Sequence, residues 1–360
     1  MATEAAIRGY LLEEALAWLL RRSGYELLVH NELDPELAWG SNGLRVHGRG
    51  ADHQADTLGE LSFVPPFSLP IRLFVEAKFR EAVTDIRDIR NAHGVIHDIN
   101  ENFSRTTPNG RPHRRYRYTY ALFSTAGFSS AAQTYALAHQ ISLVDLSGLP
   151  FAWLRTAVFN AAKQVKALED EVRQQHPTVK PLPLPLLRYA VRAALGTNEA
   201  QPPPSGETAL WSDVEHLIIA LAEQMRLELI NEGQNEVLLG FPAAPFVLTM
   251  TAPRPGSVEA FLDYARGRPT HQIRLVRRPS AGQTASWEIT PTDRDQAYRL
   301  YFNLPASLDD WISHSELERS RVRMVKEDLL STILIYRISD RRTEVFRLQY
   351  SPAQVEAARR

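Results

Sequence analysis

The chain has 360 residues, 44% of them hydrophobic and 23% charged, with six tryptophans, which excludes a disordered or fibrous protein and leaves room for two hydrophobic cores. Cysteine is absent, which excludes disulfides, a thiolate nucleophile and cysteine-ligated zinc and suits a reducing compartment. The formal net charge is −1, so attraction to a polyanion has to come from local patches; with no apolar run of bilayer length and no basic leader before an apolar stretch, the chain is expected in the cytoplasm.

Leu12, Leu16, Leu19 and Leu20 fall at helical spacing and predict a helix over 9–23, ended by Gly24 where a left-handed cap is favoured. A strand signal follows over 25–30. The next stretch, 31–50, carries Trp39-Gly40-Ser41-Asn42-Gly43 and reads as a loop or insertion. Two β-like runs, 54–64 and 71–79, flank Pro65-Pro66 and predict a hairpin. Ile86, Ile89, Ile96 and Ile99 then predict a helix over 83–103, followed by a strand over 117–124, a helix over 129–139 and a short buried strand over 141–145. A helix over 151–174 precedes Pro181, Pro183 and Pro185, which read as breaks, and 197–207 with Pro202-Pro203-Pro204 reads as a linker. The remainder predicts a helix over 212–230, a strand over 236–251, a helix over 258–266, strands over 272–277, 286–290 and 299–302, and a closing hairpin of 331–338 with 343–350. The expected organisation is a first domain over 1–150, a helical connector and linker over 151–207, and an α+β domain over 208–360.

Chemistry concentrates in the predicted hairpin. Residues two apart on a strand share a face, so Glu76 and Lys78 point one way while Val75, Ala77 and Phe79 point the other; the same rule pairs Gln54 with Asp56. If the two runs pair, Asp56, Glu76 and Lys78 converge on one point. Two carboxylates that close repel unless neutralised, and a hard, oxygen-seeking Mg2+ or Mn2+ ion does so well. Each residue taken singly also fits an ordinary polar strand face, and Glu-x-Lys alone is common. Their position at the end of an apolar run, Ile71, Leu73, Phe74 and Val75, favours use, because a polar pair there is costly otherwise.

Glu13 shares a helical face with Gly9, Leu16, Ala17 and Leu20, so it is expected against the domain, near the metal or as a buried glutamate bonded to backbone or an arginine; Glu14 is expected on a mixed face with an exposed ion pair. Gln54 is an auxiliary candidate for positioning water or a phosphate oxygen, equally a strand hydrogen-bonder. His53 reads as structural or DNA-facing, and His93 with His97 has zinc spacing without the acid of His-Glu-x-x-His. Arg105, Arg111, His113, Arg114, Arg115 and Arg117, interspersed with Pro108, Gly110 and Pro112, read as a loop lying along phosphates or as a solvated charge run; Arg111, Arg114, Arg115 and Arg117 are the candidate nucleic-acid contacts. Arg274, Arg277, Arg278, Arg341 and Arg342 permit DNA contact without arguing for it.

Four stretches of the first 150 residues together resemble the PD-(D/E)xK nuclease superfamily, and most its Mrr-type restriction endonuclease branch: Gly9-Tyr10-Leu11-Leu12-Glu13 with Gly24-Tyr25; Asp56; Glu76-Ala77-Lys78; and 121–129 with Ile141-Ser142-Leu143-Val144-Asp145. The usual proline before the aspartate is Ala55 here. The resemblance implies an α/β restriction-endonuclease-like N-terminal domain with a mixed central sheet flanked by helices, beside the α+β C-terminal domain. It implies Asp56, Glu76 and Glu13 as ligands of Mg2+, with Mn2+ as a substitute, Lys78 orienting the attacking water or stabilising developing charge, and Gln54 assisting. The implied activity is endonucleolytic hydrolysis of DNA phosphodiesters of restriction or defence type. Cutting both strands suggests a homodimer, and the C-terminal domain would serve recognition, oligomerisation or sensing, with a further defence-system partner through it. A structure-specific repair nuclease or junction resolvase, and a non-catalytic nucleic-acid-binding or sensing module, remain open as alternatives.

Overall fold

In the computed structural model, which describes residues 3–30, 34–40, 43–61, 64, 68–102, 114–148, 151–197, 211, 214–231, 237–244, 246–252, 257–280, 283–294, 296–313, 317–339 and 342–357, the chain opens with helix α1 (Glu4–Arg22). It begins five residues earlier than the leucine spacing suggests, because the Thr3 hydroxyl accepts from the Ala6 N–H at 3.2 Å and Glu4 sits in the positive first turn. Gly24 follows with φ of 90°, as a left-handed cap requires.

Strand β1 (Tyr25–Leu27) is short. The stretch expected to be a loop instead holds β2 (Leu37–Gly40) and β3 (Gly43–His47), which with β4 (Asp52–Gln54) form an antiparallel three-stranded meander. The glycines that suggested a loop end the strands at a hairpin, Gly40 pairing with Gly43, and the alternation of buried Leu44 and Val46 with Arg45 and His47 is a strand pattern. Next come β5 (Thr57–Leu61) and β6 (Ile71–Lys78), antiparallel as the hairpin expectation required, with Thr57 opposite Val75. The Pro65-Pro66 turn lies outside the described residues. Helix α2 (Ile86–Asn100) makes the crossover to β7 (Arg117–Ser124), which runs parallel to β6. α3 (Ser130–Ala138) and β8 (Ser142–Asp145) follow, then α4 (Ala152–Gln175).

Pro183 and Pro185 begin a helix rather than break one. They occupy the N-cap and first turn of α5 (Leu184–Leu195), where a missing N–H costs nothing, and Gly196 closes it with φ of 64°. The chain continues through α6 (Glu215–Asn231), β9 (Leu238–Pro242), β10 (Leu248–Met250), α7 (Ser257–Gly267), β11 (Thr270–Ser280), β12 (Gln283–Pro291), β13 (Leu300–Asn303), α8 (Ala306–Ser313), α9 (Glu318–Met324), β14 (Thr332–Ser339), β15 (Arg342–Gln349) and α10 (Pro352–Ala357). The single strand expected over 236–251 is therefore the antiparallel pair β9 and β10.

The fold is mixed α/β and divides into two units: Met1–Ala82 with Gly94–Ala126 and Leu146–Gly233, and Val83–His93 with Gly127–Asp145 and Gln234–Arg360. This division differs from the expected boundaries at 150 and 207, since α4, α5 and α6 belong with α1, whereas α3 belongs with the C-terminal residues; the linker residues 198–207 are not described. In the first unit β1, β5, β6 and β7 lie side by side, and α1 buries Leu11, Leu12, Leu16 and Leu20 against β5, β6 and α4. The second unit carries a sheet in the order β10-β9-β14-β15-β11-β12-β13, antiparallel except for β11 with β15, around Trp287, Phe261, Ile273, Ile335 and Leu348. Among the described residues no helix is long and apolar enough to cross a membrane.

Candidate active site

The β5/β6 register builds the site. Asp56 stands one residue before β5, donates its N–H to the Val75 carbonyl at 3.1 Å, and accepts the Ala77 N–H on Oδ2 at 2.7 Å. Its carboxylate is thereby tied to the backbone between Glu76 and Lys78. Alternation on β6 puts those two side chains on one face, where Lys78 Nζ pairs with Glu76 Oε1 and the Tyr120 hydroxyl of β7 donates to Glu76 Oε2. Tyr120 is itself fixed by stacking on Phe74, its neighbour in register, with ring centroids 5.1 Å apart.

Glu13 reaches the same region from α1, whose main chain is held to β5 by the Thr57 hydroxyl donating to the Glu13 carbonyl at 3.3 Å. Burial, and then the Asp56 charge, push the Glu13 carboxyl up to about 8, with Arg188 opposing at 3.7 Å. Asp56 is also raised, by burial first and by Glu76, against the Ala77 N–H, Lys78 and Arg188. Glu13 and Asp56 are thus two buried carboxyls whose charged forms are disfavoured by burial and by neighbouring acids, a condition a divalent cation relieves. Asp56 and Glu76 supply hard oxygen donors of the type Mg2+ or Mn2+ takes. Among the described residues, however, no three His, Asp or Glu side chains are grouped to hold an ion on their own: Glu76 is engaged by Lys78 and Tyr120, and Glu13 leans toward Arg188. An ion here would use Asp56 and Glu76, with the rest of its shell from water.

Glu14, expected on an exposed mixed face, is instead 2% exposed and held by Arg188 Nε at 3.2 Å and Arg192 Nε at 2.9 Å. The cause is α5, which covers that face of α1 and carries both arginines four residues apart on one side. Arg188 also lies 4.7 Å from the Tyr10 ring centre. Arg188, Arg192 and Tyr120 are site residues that motif spacing did not reveal; reading the prolines as a helix start would have exposed the two arginines.

Gln54 is not on Asp56's strand. It ends β4, opposite Arg45 in the separate meander, exposed, and buried Ala55 carries the chain from one sheet to the other. The basic segment is also displaced from its expected position. Arg117 opens β7 opposite Ile71, five residues back along β6 from Glu76, or about 17 Å at the rise of a strand. Arg114 lies 3.6 Å from Glu60 and Arg115 bonds the Asn102 carbonyl at 3.4 Å, so these three occupy the opposite end of the sheet from Lys78, while Arg111 is outside the described residues. His53 is structural, bonded at 2.8 Å to Asp98, which also accepts the N–H groups of Gly50 and Ala51. His93 and His97 turn to different partners, Tyr135 and Glu101. Arg277 and Arg278 are engaged by Asp309 and Glu288.

No protein-family model and no curated protein matches the chain. It is similar to a solved structure described as a protein of unknown function, AF1548, at 17% identity and a TM-score of 0.33, over 60% of this chain and 97% of that one.

Proposed function

We propose that the chain is a metal-dependent endonuclease that hydrolyses DNA phosphodiester bonds, with a restriction-endonuclease-like catalytic core. The observation that carries this reading is the Ala77 N–H donating to Asp56, which sets one carboxylate against the backbone between a second carboxylate and an ammonium. In this reading Asp56 and Glu76 hold Mg2+ or Mn2+, which when bound neutralises phosphate charge and acidifies a water molecule. Lys78, released from Glu76, orients the attacking water or meets the negative charge that develops on phosphorus-bound oxygen. Tyr120 holds the Glu76 carboxylate in line, and Arg188, 3.7 Å from Glu13, partly offsets its charge. DNA is the proposed partner; a restriction or defence role, a homodimer and a further partner for the second unit are extensions of the same reading.

A second reading is favoured by one observation. Both Glu76 oxygens are already engaged, which suits a nucleic-acid-binding module that does no chemistry. Calorimetric titration of Mg2+ and Mn2+ separates the two. Asp56→Asn keeps an oxygen for the Ala77 N–H and so preserves the local fold, yet should abolish metal binding; equal binding by Asp56→Asn and the parent chain rejects the catalytic reading.

A further inference from the structure

The hairpin of β2 and β3 carries an exposed aromatic ring beside the candidate site. Leu37 pairs with Val46 and Trp39 with Leu44 across the two strands, and directly paired side chains share a face. On that face Leu37, Val46 and Leu44 are buried, whereas Trp39 is 58% exposed. Trp39 lines the same cleft as Glu13, Glu14, Asp56, Arg188 and Arg192, with its cross-strand partner Leu44 also in the lining. A large ring left in water at the edge of a cleft that contains acidic oxygen donors and a guanidinium is an arrangement for a ligand with one flat apolar face and one anionic end. A nucleotide has both.

We infer that Trp39 is a stacking platform for an unpaired base of the strand whose phosphate lies at Asp56, so that the enzyme selects single-stranded or locally opened DNA over blunt duplex. This rests on the proposed nuclease reading and names its substrate class. Every base has a π face, so such a platform is indifferent to sequence, whereas a base inside a duplex is already stacked and gains nothing from the indole. The meander that presents Trp39 is fastened away from its ring: Asp98 holds Gly50, Ala51 and His53 at the far side, so removal of the indole leaves the strands anchored.

The test compares the full chain with Trp39→Ala and Trp39→Phe. Binding of a labelled single-stranded oligonucleotide and of a blunt duplex is measured in Ca2+ and in EDTA, and cleavage of flapped and blunt DNA in Mg2+. Trp39→Ala should weaken single-strand binding about 5- to 150-fold, the range for loss of one stacked base, with duplex binding changed less than about twofold, and Trp39→Phe should recover most of the loss. Equal single-strand binding by all three overturns the platform; if the parent chain still cuts, the nuclease reading survives it. A parent chain that neither binds nor cuts any of these DNAs overturns both.

Discussion

Glu14 is the residue whose replacement tests the architecture around the site most severely. It is 2% exposed, accepts a hydrogen bond from Arg192 Nε at 2.9 Å and pairs in charge with the Arg188 guanidinium, whose Nε lies 3.2 Å away, and the two guanidiniums are themselves only about one-fifth exposed. Removing one member of a buried ion pair typically costs about 3–5 kcal/mol because the remaining charge keeps its desolvation penalty. Both arginines retain some water here, and Arg188 can turn to Glu13 at 3.7 Å, so Glu14→Ala is expected to lose about 2–3 kcal/mol, just below that range. For a unit of this size that is roughly 4–12 °C in melting temperature. Glu14→Gln keeps an acceptor but not the charge and should lose about half as much. Chemical denaturation followed by tryptophan fluorescence measures both. A Glu14→Ala chain within about 0.5 kcal/mol of the parent, the range of an ordinary surface substitution, would refute the claim that α5 is bolted to α1 through this carboxylate.

Three further outcomes are expected. Gly48→Ala would bring a Cβ to 2.0 Å from Asp98 Oδ2 and 2.6 Å from the Ala51 carbonyl, so the meander should lose about 1–3 kcal/mol in denaturant titration, and an unchanged midpoint would contradict the Asp98 clamp. His271 is depressed by burial, and its Nδ1 lies 2.8 Å from the Arg268 carbonyl while Nε2 lies 2.6 Å from the Tyr298 hydroxyl. Because the unfolded imidazole then binds protons more readily, stability of the second unit should be complete above pH 6.5 and fall progressively as pH drops below it, with the Arg268 carbonyl and Asp293 partly offsetting the loss and the Arg268 charge adding to it; a His271→Gln chain with the same acid sensitivity would exclude this source. Tyr120→Phe removes the donor to Glu76 Oε2 while keeping the stack on Phe74, so it should leave the melting temperature within about 2 °C and lower metal-dependent cleavage about tenfold; cleavage equal to the parent would remove Tyr120 from the site.

Legibility from sequence followed how locally each feature is specified. The pairing of the two acidic strands and the shared face of Glu76 and Lys78 were readable because strand alternation and one turn signal fix them. The Ala77 N–H bond brings Asp56 beside β6, although the run expected to carry it begins three residues before β5, which assigns Gln54 to its face; nothing local marks where β4 ends and β5 begins except the small buried Ala55. The meander was hidden because its glycines are common to loops and to hairpins. Arg188 and Arg192 were missed for a different reason. They lie about 175 residues from Glu14 in the chain, and only the packing of α5 on α1 brings them there. The place of Arg114, Arg115 and Arg117 shows the limit of adjacency in sequence: a residue at the start of a parallel strand sits at the opposite end of the sheet from one at its neighbour's end.

The most direct test is cleavage of supercoiled plasmid, linear duplex and single-stranded DNA in Mg2+, Mn2+ or EDTA by the parent chain, Asp56→Ala and Lys78→Ala. A phosphodiesterase centred on Asp56, Glu76 and Lys78 should cut only with metal and lose at least about 100-fold in rate with either substitution, the scale of removing one electrostatic contact to a transition state. Cutting that persists in EDTA, or at full rate without the Asp56 carboxylate, would contradict it.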